Sequence, residues 1–101
     1  MSYYGTQIQN PEVGQSYEVS WNGSEGMFAV SAAAFNGASF SLQHKLGDYW
    51  VDLGEDAVLD VSSGGVIFST SASELKVVVS GPSNPTNGFI IVEPVKQNKA
   101  L

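Results

Sequence analysis

The chain has no cysteine and no arginine, and only four of its 101 residues are lysine. The absence of cysteine excludes disulfides and thiolate metal sites. Ten acidic residues against those four lysines give a net charge of −6. Proteins bind nucleic acid mainly through cations that neutralise phosphates, and arginine is the side chain that most often reads base edges. We therefore expect no nucleic-acid partner.

Long apolar runs are also missing. The longest, such as Phe89–Val92, span only a few residues, whereas about 20 are needed to cross a bilayer as a helix. The first residues contain neither a basic segment nor a continuous apolar stretch, so they do not have the pattern of a secretory signal. The sequence predicts no membrane partner.

Catalytic residues are scarce. His44 is the single histidine, no cysteine can act with it, and no G-x-S-x-G motif is present. Its position beside Lys45, just before a predicted turn, indicates a solvent-facing edge. Nucleophilic catalysis needs a nucleophile with a base within reach, and the sequence offers no such pair. We predict a protein that is not an enzyme and binds no cofactor.

One segment is rich in carboxylates, and two interpretations of it remain. Its acidic residues are Asp48, Asp52, Glu55, Asp56 and Asp60. Carboxylates around a glycine-containing loop are typical calcium ligands, but their spacing does not match an EF-hand. Asp52 and Asp60 also fall at outward-facing strand positions. A solvated acidic edge without a metal is the interpretation we adopt, with a calcium site between Asp48 and Asp60 as the alternative.

Short segments that alternate apolar and polar residues make up most of the chain. Such alternation predicts half-buried strands, and the segments are rich in β-branched and aromatic residues. The pattern predicts an all-β fold, a small antiparallel β-sandwich of about eight strands, either jelly-roll or Ig-like; a small barrel also fits. The predicted strands are Tyr17–Trp21, Phe28–Val30, Phe40–Leu42, Tyr49–Leu53, Val58–Val61, Val66–Ser69, Leu75–Ser80 and Phe89–Val95.

The breaks between these segments contain turn-forming residues. The pairs Asn36-Gly37 and Asn87-Gly88 suit turns that need a positive φ. Gly47-Asp48 predicts a hairpin turn between the Phe40 and Tyr49 strands. The segment from Gly81 to Gly88 is too long and too proline-rich for a tight hairpin, so we interpret it as a crossover or an exposed functional loop.

The ends of the chain differ from the middle. Residues 1–14 contain Tyr3, Tyr4 and Ile8 among polar residues, which is too little apolar area to fold alone. We therefore predict an N-terminal arm over residues 1–14, mobile until it docks on a partner. The β-sandwich domain is predicted over residues 15–97 and a C-terminal tail over residues 98–101.

The two tryptophans lie in different settings. Trp21 shares a strand face with Tyr17 and Val19, which places it in the predicted core together with Phe28. Trp50 points to the face opposite Tyr49, Val51 and Leu53. One of these two faces is therefore exposed or lies at an interface. An exposed tryptophan beside polar side chains would favour a sugar-binding platform, whereas a dry apolar patch would favour an assembly protein.

The segment from residue 20 to 82 resembles small accessory proteins of tailed-bacteriophage virions. The resemblance lies in an order of aromatic, glycine and apolar residues, and Lys76 departs from it because the relatives are expected to have an arginine there. The matching residues are Trp21-x-Gly23, Gly26-x-Phe28-x-Val30, Phe35-x-Gly37-Ala38-x-Phe40-x-Leu42-Gln43, Gly47-Asp48-Tyr49-Trp50-Val51-Asp52-Leu53-Gly54 and Leu75-Lys76-Val77-Val78-Val79-Ser80-Gly81.

The resemblance implies a head decoration or cement protein that is made in the cytoplasm of the host cell and located on the exterior of the virion. Its implied partner is the major capsid protein of a phage, with self-trimerisation as a further expectation. We expect the contact residues to be Tyr3, Tyr4, Ile8 and Trp50. The alternative, from another class, is a glycan-binding or host-recognition module of a phage tail fibre.

Overall fold

The computed structural model describes residues 6–22 and 24–95, and within these ranges the chain forms nine β-strands, one short 3-10 helix at Glu55–Ala57 and no α-helix. This confirms the all-β prediction, and each of the eight predicted segments contains a strand. The strands are β1 (Thr6–Gln9), β2 (Ser16–Ser20), β3 (Glu25–Ser31), β4 (Ser39–Leu46), β5 (Tyr49–Asp52), β6 (Val58–Leu59), β7 (Gly65–Ser69), β8 (Glu74–Ser80) and β9 (Phe89–Pro94).

The strands form two antiparallel sheets. The four-stranded sheet has the order β1-β9-β3-β7, and the five-stranded sheet has the order β2-β8-β4-β5, with β6 paired to the same edge of β4 as β5. Most connections carry the chain from one sheet to the other, so that β1, β3, β7 and β9 alternate with the remaining strands. This order is that of a jelly roll rather than of an Ig-like sandwich.

The core lies between the two sheets and follows the strand alternation. On β4, Phe40 and Leu42 point inward and have no exposed surface, and Phe28 of β3 and Ile90 of β9 face them from the other sheet with none either. Trp21, directly after β2, is 7% exposed. The predicted burial of Trp21 and Phe28 is therefore confirmed.

Trp21 packs at one end of the core. Its ring centroid lies 5.2 Å from that of Phe68, and its Nε1–H donates to the carbonyl oxygen of Ser24 at 3.2 Å. The hydrogen bond satisfies the polar end of the indole, as a buried tryptophan requires. Gly26 lies beneath both rings, because a Cβ atom there would be 2.5 Å from the Trp21 ring. A glycine is thus required for two aromatic side chains to approach the backbone of β3.

The predicted turns are present. Gly47, with φ +65°, turns the chain between β4 and β5. Asn36 and Gly37 both have positive φ, and the Ala38 N–H closes the turn on the carbonyl of Phe35 at 2.9 Å. The segment from Gly81 to Gly88 carries the chain from β8 to β9, which lie in different sheets, so the crossover interpretation is confirmed.

The prediction of an N-terminal arm over residues 1–14 is wrong from Thr6 onward. Thr6–Gln9 forms β1, which pairs with β9 in a four-residue antiparallel ladder. Ile8 packs against the core, and Pro11 is fully buried. The backbone ladder supplies what the polar sequence Thr-Gln-Ile-Gln lacks in apolar area, so a single inward isoleucine is sufficient at this edge of the sheet.

Candidate functional site

Half of the exposed large apolar side chains among the described residues lie on the β4–β5 hairpin. Leu46 pairs with Tyr49, and Lys45 pairs with Trp50, across the Gly47-Asp48 turn. Because side chains alternate along a strand, the hairpin has two distinct sides. One side carries Leu46, Tyr49 and Val51, and the other side carries Lys45 and Trp50.

The first side continues the face that forms the core, but it is not covered. Leu46 is 48% exposed, Tyr49 75% and Val51 41%. We call these three residues the hairpin patch. Their side chains point to the same side of the sheet as that of Leu42, which lies earlier on β4 and is fully buried. The four-stranded sheet therefore ends before the hairpin does, and the apolar face of the hairpin emerges into solvent.

His44 marks the point where the core ends. It was expected on a solvent-facing edge, and this expectation is wrong: the side chain is half-buried, with Nδ1 2.8 Å from Thr70 Oγ1. Thr70 Oγ1 also accepts a hydrogen bond from the Ala72 N–H at 3.1 Å. His44, the residue before Leu46 on this side of β4, is thus partly covered by the β7–β8 connection, which it contacts through Thr70.

The second side of the hairpin is built around Trp50. The Lys76 ammonium lies 4.6 Å from the centroid of the Trp50 ring, and the Lys45 ammonium lies 5.9 Å from it. Neither lysine makes an ion pair with a carboxylate within residues 6–22 and 24–95. Each cation–π contact at a partly exposed ring is worth about 0.5–1 kcal/mol. The two lysines therefore hold the half-buried indole against the outer face of the five-stranded sheet.

Polar side chains of both signs surround this ring. Gln43 Nε2 donates to Asp52 Oδ1 at 2.8 Å across the β4–β5 ladder. Lys76, on β8, lies opposite Gln43 of β4 and opposite Glu18 of β2. We call Trp50, Lys45, Lys76, Gln43 and Asp52 the tryptophan face. It combines an aromatic ring with an amide, a carboxylate and two ammonium groups, which together can stack on a ligand and exchange hydrogen bonds with it.

The four expected contact residues have different positions. Trp50 is half-buried on the outer face of the five-stranded sheet, where a partner can reach it. Ile8 is half-buried on the edge strand β1 and packs against the core, so part of its side chain is already engaged within the domain. Tyr3 and Tyr4 lie outside the described residues.

The acidic residues between 48 and 60 do not converge. Asp52 is engaged with Gln43, and Glu55 and Asp56 lie in the first turn of the 3-10 helix. No group of three or more histidine, aspartate or glutamate residues that could hold a metal occurs in the described parts of the chain.

Asp60 organises the turn that follows β6. Its Oδ1 accepts hydrogen bonds from Ser62 Oγ at 2.6 Å and from the Ser62 N–H at 2.9 Å. These bonds stabilise the carboxylate, so the Ser62 hydroxyl first, and then its N–H, lower the pKa of Asp60. The side chain is therefore explained by the local turn.

Sequence reasoning identified Trp50 but not the hairpin patch. The alternation of Tyr49, Val51 and Leu53 against Trp50 predicted two faces, and it left open which of them was exposed. Which face is exposed depends on where the four-stranded sheet ends, and no local sequence pattern predicts the extent of a sheet. The available signal was the turn itself, because residues close to a predicted hairpin turn are the first to extend past the core.

Comparison of the sequence with protein-family models gives no match, and neither does comparison with curated proteins. The structure is similar to the crystal structure of the Yersinia pseudotuberculosis-derived mitogen, with a TM-score of 0.55 and 17% sequence identity, over 98% of this chain and 88% of that one. At this identity the likeness shows the fold alone. Among the described residues there is no helix long and apolar enough to cross a membrane.

Proposed function

We propose that this chain is a non-enzymatic accessory protein of a tailed-phage particle, which binds the outer surface of the capsid shell and stabilises it. The observation that carries the proposal is the hairpin patch, an apolar surface held on two paired strands and left uncovered. Exposed apolar patches on a soluble domain mark interaction sites. The residue pattern that resembles phage accessory proteins supports the same conclusion, and it includes the whole of β5.

The size of the hairpin patch limits what it can do alone. Full burial of a leucine or valine side chain is worth about 1.5–3 kcal/mol, and the three residues of the patch are already partly buried. The patch therefore supplies about 2–5 kcal/mol, whereas a micromolar complex needs about 8 kcal/mol. We infer that attachment also uses polar contacts beside the patch, or more than one copy of the domain.

Binding to purified phage heads tests this proposal. Leu46→Lys places a charge in the middle of the contact, so we expect at least a tenfold loss of affinity, measured by co-sedimentation with heads. Val61→Lys is the matched control, because Val61 is 77% exposed and lies outside the hairpin, after β6. Equal binding by the two variants would contradict attachment through the hairpin, and failure of the unmodified chain to bind heads would remove the proposal.

A second candidate function, glycan binding by a tail-fibre module, is favoured by a separate observation. Trp50 lies among Gln43, Asp52 and two lysines on an open sheet face, and a stacked sugar ring could hydrogen-bond to these groups. Jelly rolls occur in both viral capsid and lectin domains, so the fold is compatible with either function and does not decide between them.

Titration with oligosaccharides distinguishes the two functions. If the tryptophan face binds glycans, a glycan array will give hits with the unmodified chain, and Trp50→Ala will lose at least tenfold in affinity for those glycans. In the unmodified chain, the fluorescence emission of Trp50 will change on binding. The Trp50→Ala variant keeps Trp21, which is 7% exposed, and serves as the reference for the emission of that residue. Hits that survive the substitution would place glycan binding elsewhere on the domain.

A further inference from the structure

Strand β7 is an open edge of the four-stranded sheet. It pairs with β3 on one side, and two bonds fix which residues face that partner: Thr70 N–H to Ser24 at 3.4 Å and Val30 N–H to Gly64 at 3.2 Å. Antiparallel pairs alternate in their bonding, so the even-numbered residues of β7 bond to β3. The N–H and C=O groups of Gly65, Ile67 and Ser69 point to the open side.

These outward groups have no hydrogen-bond partner within residues 6–22 and 24–95. The 3-10 helix Glu55–Ala57 contacts β7 but forms no hydrogen bond to it. Unpaired edges are templates for strand addition, and proteins protect them with charges, prolines or very short strands. β7 is Gly-Val-Ile-Phe-Ser, with neither a charge nor a proline. Of the other edge strands, β2 carries Glu18 and β5 carries Asp52, while β1 is uncharged but mostly polar, with the sequence Thr-Gln-Ile-Gln.

Ile67 connects this edge to an apolar row on the outer face of the sheet. It is 54% exposed and pairs with Met27 of β3. Ala29, two residues further along β3, pairs with Ile91 of β9. These four residues share the outer face because their side chains point away from the side on which Phe28 and Val92 are fully buried. The row therefore runs across the sheet and ends at the open edge.

We propose that β7 pairs with β7 of a second copy of this chain, antiparallel about a two-fold axis at Ile67. Ile67 then stands opposite Ile67, and Gly65 stands opposite Ser69 of the other copy. This register satisfies the three outward residues of each copy with about six N–H···O=C bonds. The two four-stranded sheets become one eight-stranded sheet, and the two apolar rows join into a continuous strip.

The features of β7 favour a second copy over an unrelated strand. The central position holds the one large outward side chain, and the positions that flank it hold small residues, so the strand is complementary to itself. β7 itself carries no charge, so no like charges face each other along the paired strands, although the chain has a net charge of −6. A two-fold pairing is also closed, so it stops at the dimer. It differs in this respect from the trimer that the phage resemblance implies.

Sedimentation equilibrium of the full chain tests the assembly. We expect a mass of about twice 10.7 kDa at tens of micromolar. Ile67→Lys should raise the dissociation constant at least tenfold, because a charge would lie at the axis opposite its own copy. Val61→Lys, an equally large change at an exposed position outside β7, should dimerise like the unmodified chain. A monomer at millimolar concentration, a trimer, or a dimer that survives Ile67→Lys would overturn the proposal.

Cross-linking tests the register, and the absence of natural cysteine makes each introduced thiol unique. Opposite residues in a hydrogen-bonded antiparallel pair have Cα atoms about 5.5 Å apart, within the range of a disulfide. Ile67→Cys should therefore oxidise to a covalent dimer. Ser69→Cys is the matched control on the same strand, because two copies of residue 69 would lie roughly 14 Å apart. Equal cross-linking of the two variants, or none by Ile67→Cys, would overturn the two-fold register.

Discussion

At the scale of single residues, the packing of the core depends on where side chains are absent. Gly26 lies in β3 with its neighbours Met27 and Phe28 in regular strand conformation, so its role is steric. The rings of Trp21 and Phe68 occupy the space where a Cβ atom would be, at 2.5 and 2.6 Å. A glycine in a strand interior ordinarily weakens it. Here it allows two aromatic residues to be buried against the backbone.

Gly26→Ala should therefore destabilise the domain. Overpacking in a dense core costs about 1–3 kcal/mol, and for a domain of this size each kcal/mol lowers the melting temperature by about 4–8 °C. Thermal denaturation followed by circular dichroism measures the change. Gly64→Ala is the control, because nothing lies within 4 Å of its Cβ position, and it should change stability by less than about 0.5 kcal/mol. Equal melting temperatures for both variants would show that the rings can move aside.

At the scale of strands and turns, the sequence predicted what local alternation encodes. β2 to β9 each contain enough β-branched or aromatic residues to be recognised, and Gly47-Asp48 and Asn36-Gly37 have the expected turn chemistry. β1 was missed because Ile8 is its one apolar residue, so the strand exists only through its pairing with β9. The strand order and the extent of each sheet were likewise beyond the sequence, since both depend on contacts between distant segments.

The same limit applies to the candidate surfaces. The alternation of β5 correctly placed Trp50 opposite Tyr49, but the exposure of Leu46 and Tyr49 follows from the four-stranded sheet ending before the hairpin. The openness of the β7 edge is likewise a property of the sheet order, because the segment Val66–Ser69 reads as an ordinary strand. Sequence patterns therefore predicted the elements that carry the candidate surfaces, and the assembly of two sheets decided which of them reach solvent.

At the scale of the whole molecule, the first and last described strands close the fold together. β1 and β9 are neighbours in the four-stranded sheet although about eighty residues separate them. Beyond β1, the Asn10 N–H donates to the Gly88 carbonyl at 2.8 Å, and the Val13 N–H donates to Asn84 Oδ1 at 2.8 Å. The N-terminal segment thus covers the crossover between β8 and β9, and it belongs to the cooperative unit.

Deletion of residues 1–12 should for this reason destabilise the free protein. It removes the β1 ladder, the contact of Ile8 with the core and the fully buried Pro11. It also exposes Ile90 and Val92, the inward residues of β9. Loss of a buried aliphatic side chain alone costs about 2–5 kcal/mol, a large part of the 5–15 kcal/mol of a typical domain. We expect a much lower urea midpoint, or an unfolded chain.

Deletion of residues 1–4 is the control, because it leaves β1 and Pro11 in place and should keep the midpoint of the full chain. If removal of residues 1–12 left the midpoint unchanged, the segment would be an appendage after all, and its pairing with β9 would contribute nothing to the stability of the sandwich.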